Sequence, residues 1–177
     1  MDDRTLLRLS AVAAIGAGIL RAAGPFLGIM PLAEATLEQI WFVTDLLLLC
    51  GATGIYLANR ETGFGGFIGF AVFVIGILLV RSTGVAFFGF GGYQAGASVA
   101  LIGIALFALS LLARRTQIAA ASLWLASLGA GLTSRTGVGT AYLVALSGVL
   151  FGLGFAAAGV VLLRRPVEAS LASATPR

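Results

Sequence analysis

The chain has 177 residues, of which 59% are apolar and only 10% are charged, and its mean hydropathy is +1.06. This composition lies outside the range of soluble proteins and predicts an integral membrane protein. The net charge of +4 comes from eleven arginines, with no lysine and no histidine. Because these arginines occur singly or in pairs between apolar stretches, they form no basic face, and binding to nucleic acid is not expected.

Six apolar stretches are long enough, or nearly so, to cross a bilayer. A hydrocarbon core of about 30 Å needs about 20 helical residues. The stretches lack the two-residue alternation of barrel strands, so they predict helices. In chain order the predicted spans are residues 5–24, 38–58, 62–81, 94–113, 117–133 and 140–163. We therefore predict an all-α fold, a single polytopic membrane helix bundle formed by residues 1–165, followed by a disordered cytoplasmic tail at 166–177.

The arginines predict the orientation of this bundle. Six spans place both termini on one side, and cytoplasmic loops carry an excess of arginine and lysine. Eight arginines fall on the side of the termini and three on the other, so both termini are predicted to be cytoplasmic in a bacterial-type inner membrane. The eight are Arg4, Arg8, Arg60, Arg114, Arg115, Arg164, Arg165 and Arg177, and the three are Arg21, Arg81 and Arg135.

Two predicted outer loops have unusual compositions. Residues 25–37 are too apolar for a solvated linker, so we expect them in the membrane interface, with one helical turn after Pro31. Residues 82–93 combine four glycines with four aromatic residues, which commonly anchor a chain at the interface. A loop that covers a ligand or contacts a partner is the alternative. The aromatic residues are Phe87, Phe88, Phe90 and Tyr93.

Small residues recur at four-residue intervals in three of the predicted helices. Such stripes let helix backbones approach closely in lipid, where no hydrophobic force drives helices together. We expect them to form contacts within the bundle, and a homodimer interface is the alternative. The stripes are Ala14, Gly18 and Ala22, then Gly92, Gly96 and Ala100, then Gly148, Gly152 and Ala156.

One acidic residue is expected deep in the membrane. No aspartate or glutamate occurs between Thr62 and Val167. Asp45 lies about 10 Å beyond Glu38 along the second span, at 1.5 Å per residue, and Arg21 reaches a similar depth on the first span. Because a buried carboxylate needs a partner, we predict an ion pair between Arg21 and Asp45. The pair would either fix the first helical hairpin or mark an outward-facing cavity where Asp45 binds a cation, a proton or a polar substrate.

Helical spacing extends this hypothesis to a polar stripe. Glu38, Asp45 and Tyr56 fall within roughly 40° of one another around the second span. The stripe would line a path through the membrane or simply face the centre of the bundle.

The residues that most enzymes use are missing from the sequence. Without histidine and with one cysteine, a histidine-ligated haem, a typical zinc site and a Ser-His-Asp hydrolase are excluded. No phosphate-binding glycine motif occurs, so nucleotide use would need a separate subunit. We therefore expect no catalytic residue, no metal site and no cofactor. Cys50 is interpreted as a small buried apolar residue.

These observations favour an accessory or scaffolding membrane protein that acts through contacts with lipid, with other membrane subunits or with a second copy of itself. The alternative is a subunit that binds or transports a small solute or ion through a cavity near Asp45 and Arg21. In size and helix number the chain resembles the substrate-binding membrane subunits of vitamin importers that use a separate ATPase, although it matches no motif of that family.

Overall fold

The structure is a computed structural model that describes residues 3–82, 92–137 and 139–164. Over these residues it is entirely α-helical apart from turns and two short 3₁₀ segments, Arg60–Thr62 and Ser134–Thr136. The helices are α1 (Asp3–Ala22), α2 (Gly24–Leu27), α3 (Glu34–Leu57), α4 (Gly63–Arg81), α5 (Gly92–Ala113), α6 (Ile118–Thr133) and α7 (Thr140–Arg164). The predicted all-α membrane bundle is confirmed.

Five helices, α1, α3, α4, α5 and α7, are long and apolar enough to cross a membrane. The sixth predicted span corresponds to α6, whose 16 residues extend for only about 24 Å. It nevertheless runs the length of α5 in the opposite direction. Thr116, just before α6, bonds to Leu111 near the end of α5, while Arg135, just after α6, reaches Ser98 near its start.

The first predicted loop differs from expectation in detail. The helical turn precedes Pro31 and is α2, with Pro25 in its first turn, where a missing N–H leaves no bond unmade. The helix after this loop begins at Glu34, four residues earlier than predicted. Among the other loop predictions, Phe87, Phe88 and Phe90 lie outside the described residues, as does the tail at 166–177.

The six long helices form a closed ring. Going round it, α4 packs on α5, α5 on α6, α6 on α7, α7 on α1 and α1 on α3, and the ring closes with a smaller contact between α3 and α4. A contact of similar extent joins α3 to α7 across the ring. Neighbours in the ring are antiparallel. The start of α1 and the end of α7 therefore share one end of the bundle, called here the terminal end. The opposite end carries Arg21, Arg81 and Arg135 and is called the cavity end.

Glycines let two helix pairs approach to backbone contact. Between α4 and α5, a Cβ added at Gly103 would collide with the backbone of Phe73, and one at Gly76 with the backbone of Ala100. Between α1 and α7, Gly18 and Gly152 face each other in the same way. Residues of all three small-residue stripes thus form contacts within the bundle, as expected, because only residues without large side chains permit this spacing. Gly148 is an exception, since a Cβ there would meet no atom within 4 Å.

Aromatic side chains fill the centre of the ring. Trp124 and Phe155 are fully buried and meet edge to face, with ring centres 5.1 Å apart, and Phe73 packs on Phe155 at 5.6 Å. Interpreting Cys50 as buried is wrong, because this residue is exposed on the outer surface of α3. Hydropathy cannot separate the two cases, since both the core and the lipid-facing surface of a membrane helix are apolar.

Candidate functional site

A cavity of about 410 Å³ opens at the cavity end of the bundle. Its volume lies within the range of small-molecule sites, which runs from about 300 to 1,000 Å³. The wall consists of apolar residues such as Leu48, Ile77, Leu101 and Phe151, supplied by α3, α4, α5 and α7. The polar residues of the lining are Arg21, Asp45, Tyr93, Gln94, Ser98, Ser134, Arg135, Thr140 and Ser147.

Asp45 on α3 is held by Arg81 at the end of α4. The Arg81 Nε donates a hydrogen bond of 2.6 Å to Asp45 Oδ2, and this is the single ion pair among residues 3–82, 92–137 and 139–164. The aspartate side chain is 15% exposed and the arginine side chain 36% exposed. The guanidinium carbon of Arg81 also lies 5.8 Å from the centre of the Phe42 ring. The pair therefore joins α3 to α4, where the ring has its smaller contact.

The predicted ion pair between Arg21 and Asp45 is replaced by this one. Arg21 lines the same cavity and attracts Asp45 through space, but it makes no hydrogen bond with it. Its guanidinium carbon lies 5.7 Å from the centre of the Trp41 ring, in a cation–π contact. Depth along the membrane does not distinguish the two helices that flank α3, since α1 and α4 each end in an arginine at this side.

A second arginine of the lining, Arg135, comes from the 3₁₀ turn after α6. It is exposed, and its Nη2 donates to Ser98 Oγ at 3.3 Å. The Ser98 hydroxyl in turn donates to the Gln94 carbonyl oxygen at 2.8 Å. Tyr93, the one aromatic residue of the predicted 82–93 loop that the structure describes, is 59% exposed and also lines the cavity.

Below these groups, two serines hold α6 and α7 together. Ser127 Oγ donates to the Ser147 carbonyl at 2.8 Å, and Ser147 Oγ donates to the Ser127 carbonyl at 2.9 Å. Ser127 is fully buried and Ser147 is 7% exposed, so both hydroxyls are satisfied within the protein. Ser147 belongs to the cavity lining, and this reciprocal pair therefore fixes part of its floor.

The predicted polar stripe does not line a path. Glu38 is exposed and lies outside the cavity lining. Tyr56 stacks on Phe70 at 4.7 Å, in contact also with Phe67 and Phe107, and makes an aromatic link between α3 and α4. The three residues share one side of α3, but Tyr56 is eleven residues from Asp45, or about 16 Å along the helix, beyond the reach of the cavity.

Sequence reasoning missed most of the lining supplied by α5 and by the segment from 134 to 140. A signal was present, because each of the three arginines assigned to the outer side lies at the end of a helix, and the helices after Thr62 contain no acid to pair with them. Such groups must meet water, a distant acid or a ligand. The arrangement can bind a polar group at its rim and an apolar group at its wall.

Comparison with known proteins identifies no relative: no protein-family model, curated protein or solved structure matches this chain.

Proposed function

We propose that this chain is a membrane subunit that binds a small solute in the cavity beside Arg21 and Asp45, as the binding step of transport or sensing. The observation that carries the proposal is the cavity itself. It is large enough for a small molecule, opens at one end of the bundle and combines charged rim groups with an apolar wall. A bundle that served only as a scaffold would gain nothing from leaving this volume unfilled, because unfilled volume costs packing energy.

We further propose that the protein lies in a bacterial-type cytoplasmic membrane with both termini in the cytoplasm and the cavity facing outward. The unequal distribution of arginine supports this orientation. The described arginines at the terminal end are Arg4, Arg8, Arg60, Arg114, Arg115 and Arg164, against three at the cavity end.

An accessory role through contacts with lipid or other membrane subunits is the second proposal. It is favoured by the connection between α1 and α3, where Phe26, Ile29 and Met30 are 63%, 82% and 50% exposed. This apolar segment borders the cavity end and suits an interface with lipid or with another membrane protein.

Cysteine labelling tests the orientation and the water access of the cavity. In a Cys50→Ala background, intact cells carrying Ala97→Cys in the cavity wall are treated with the membrane-impermeant reagent sulfonatoethyl methanethiosulfonate. We expect rapid labelling. Ala126→Cys, exposed on α6 but outside the cavity lining, should stay unlabelled, and Glu61→Cys at the terminal end should react only after permeabilisation. Labelling of Glu61→Cys in intact cells would contradict the orientation, and an unreactive Ala97→Cys would contradict an open cavity.

Blocking the cavity tests solute binding. Gly148 lines the cavity, and a Cβ there would meet no atom within 4 Å, so Gly148→Phe adds bulk at a position of the lining where the Cβ is unobstructed. Gly129→Phe is the matched control, since Gly129 is equally unobstructed but lies outside the lining.

Thermal stability in nanodiscs is measured with small solutes of each charge class. A solute present at 100 times its Kd stabilises the folded state by about 2.7 kcal/mol. We expect at least one solute to stabilise the wild type and Gly129→Phe but not Gly148→Phe. If no solute does so, the binding proposal fails and the accessory role remains.

A further inference from the structure

The cavity lining carries more positive than negative charge. Its two arginines, Arg21 and Arg135, face one carboxylate of the lining, Asp45, which already accepts a hydrogen bond from Arg81. Arg21 and Arg135 line the cavity, and neither has a carboxylate partner in the part of the chain that the structure describes. Since a guanidinium stays protonated in proteins, this positive charge persists at every physiological pH.

The sequence cannot supply the missing acid from the surrounding helices. Between Thr62 and Val167 there is no aspartate or glutamate, so α4, α5, α6 and α7 contribute none to the cavity. Of the other acids that the structure describes, Asp3 and Glu61 lie at the terminal end, and Glu34 and Glu38 are exposed outside the lining. Among the described residues, no second acid therefore lines the cavity to pair with Arg21 and Arg135.

The other polar groups of the rim also favour an anion. Gln94 and Thr140 line the cavity and can each donate a hydrogen bond, whereas the one carboxylate already accepts from Arg81. Hydrogen bonds between guanidinium groups and a carboxylate are among the strongest that proteins form. A cationic solute would instead have to share Asp45 with Arg81 and approach two further positive charges.

The wall beneath the rim determines what kind of body the ligand can have. Leu48, Ile77, Leu101, Val144 and Phe151 are apolar, and they enclose the part of the cavity beyond the arginines. We propose that the solute is a small monocarboxylate with an apolar body, whose carboxylate binds Arg21 and Arg135 and whose body lies against this wall. The inference rests on the proposed binding function and adds the chemical class of the ligand.

The test compares ligands that share a body and differ in the head group. Dissociation constants of hexanoate, hexylamine and hexan-1-ol are measured with the protein in phosphatidylcholine nanodiscs, together with inorganic phosphate and tetradecanoate. We expect hexanoate to bind more tightly than every other probe, and Gly148→Phe, unlike Gly129→Phe, to abolish its binding. Tighter binding of phosphate would show that the apolar body is not recognised, and tighter binding of tetradecanoate would point to a ligand drawn from the bilayer. Either result would overturn the proposal.

Arginine variants locate the head group. Arg21→Gln and Arg135→Gln should each lower the ratio of hexanoate to hexan-1-ol affinity by about tenfold, the value of one charge-assisted hydrogen bond. Arg114→Gln, exposed at the terminal end, should leave the ratio unchanged. A general loss of packing would weaken both ligands and preserve their ratio. If Arg21→Gln does not fold, the affinity ratio of Arg135→Gln decides the test, because Arg135 lies in an exposed turn.

The outcomes separate the inference from the function on which it rests. If hexylamine or hexan-1-ol binds best, and only Gly148→Phe abolishes that binding, the cavity binds solutes but the inferred anion is wrong. If hexanoate binds best and neither arginine variant changes its affinity ratio, the assigned residues are wrong. If Gly148→Phe abolishes the binding of no probe, both the proposed function and the inferred ligand are wrong.

Discussion

Breaking the ion pair between Asp45 and Arg81 should destabilise the bundle measurably. At the observed separation of 2.6 Å, Coulomb's law with an effective dielectric constant of 20 gives an upper limit of about 6 kcal/mol. The side chains are 15% and 36% exposed, so solvent screens much of this attraction. Exposed pairs contribute about 0.2 to 1 kcal/mol, and breaking buried pairs costs about 3 to 5 kcal/mol. We therefore expect a coupling energy of about 1 to 2 kcal/mol.

A double-mutant cycle measures this energy. The free energy of unfolding is obtained for the wild type, Asp45→Asn, Arg81→Gln and the double variant by titrating purified protein in mixed micelles with sodium dodecyl sulfate. A second cycle, which combines Asp45→Asn with Arg21→Gln, serves as the control. We expect its coupling to stay below about 0.5 kcal/mol, because Arg21 makes no hydrogen bond to Asp45. A coupling to Arg21 equal to or greater than that to Arg81 would refute the assignment of the pair.

Substitutions at two helix contacts are tested by the same unfolding titration. Gly103→Ala should destabilise the protein by about 2 to 3 kcal/mol, because its Cβ collides with the backbone of Phe73, whereas Gly129→Ala should be neutral or stabilising by up to about 1 kcal/mol. Equal effects of the two alanines would contradict the close approach of α4 and α5. Ser127→Ala should cost about 1 to 3 kcal/mol, and adding Ser147→Ala should cost a similar amount again, since each hydroxyl donates to a backbone carbonyl that alanine retains. A double variant no less stable than Ser127→Ala would contradict two separate hydrogen bonds.

The helix positions could be predicted because the bilayer dictates them. A span must hold about 20 apolar residues, and charged or turn-forming residues have to fall between spans. Predicted and observed boundaries therefore agree to within about four residues, even for α6. The grouping of Arg21, Arg81 and Arg135 at one end follows from the same rule, since alternate helix ends meet the same side of the membrane.

Side-chain partners could not be predicted in this way, because they depend on which helices are neighbours. Asp45 has an arginine at the end of each flanking helix, and only the closed ring shows that Arg81 reaches its carboxylate while Arg21 lies over Trp41. The exposure of Cys50 was missed for a related reason. In lipid, an apolar residue gives no sign of whether it faces the protein or the bilayer.

The two glycine contacts differ in when they can form during synthesis. The α4–α5 contact joins consecutive helices, so the residues around Gly76 and Gly103 can meet as soon as α5 has entered the membrane. The α1–α7 contact joins the first helix to the last, so Gly18 can contact Gly152 only after almost the whole chain has been translated. Docking of α7 is thus the late step that closes the ring. A chain truncated before Thr140 would leave the small-residue face of α1, which α7 covers in the complete bundle, exposed to the bilayer.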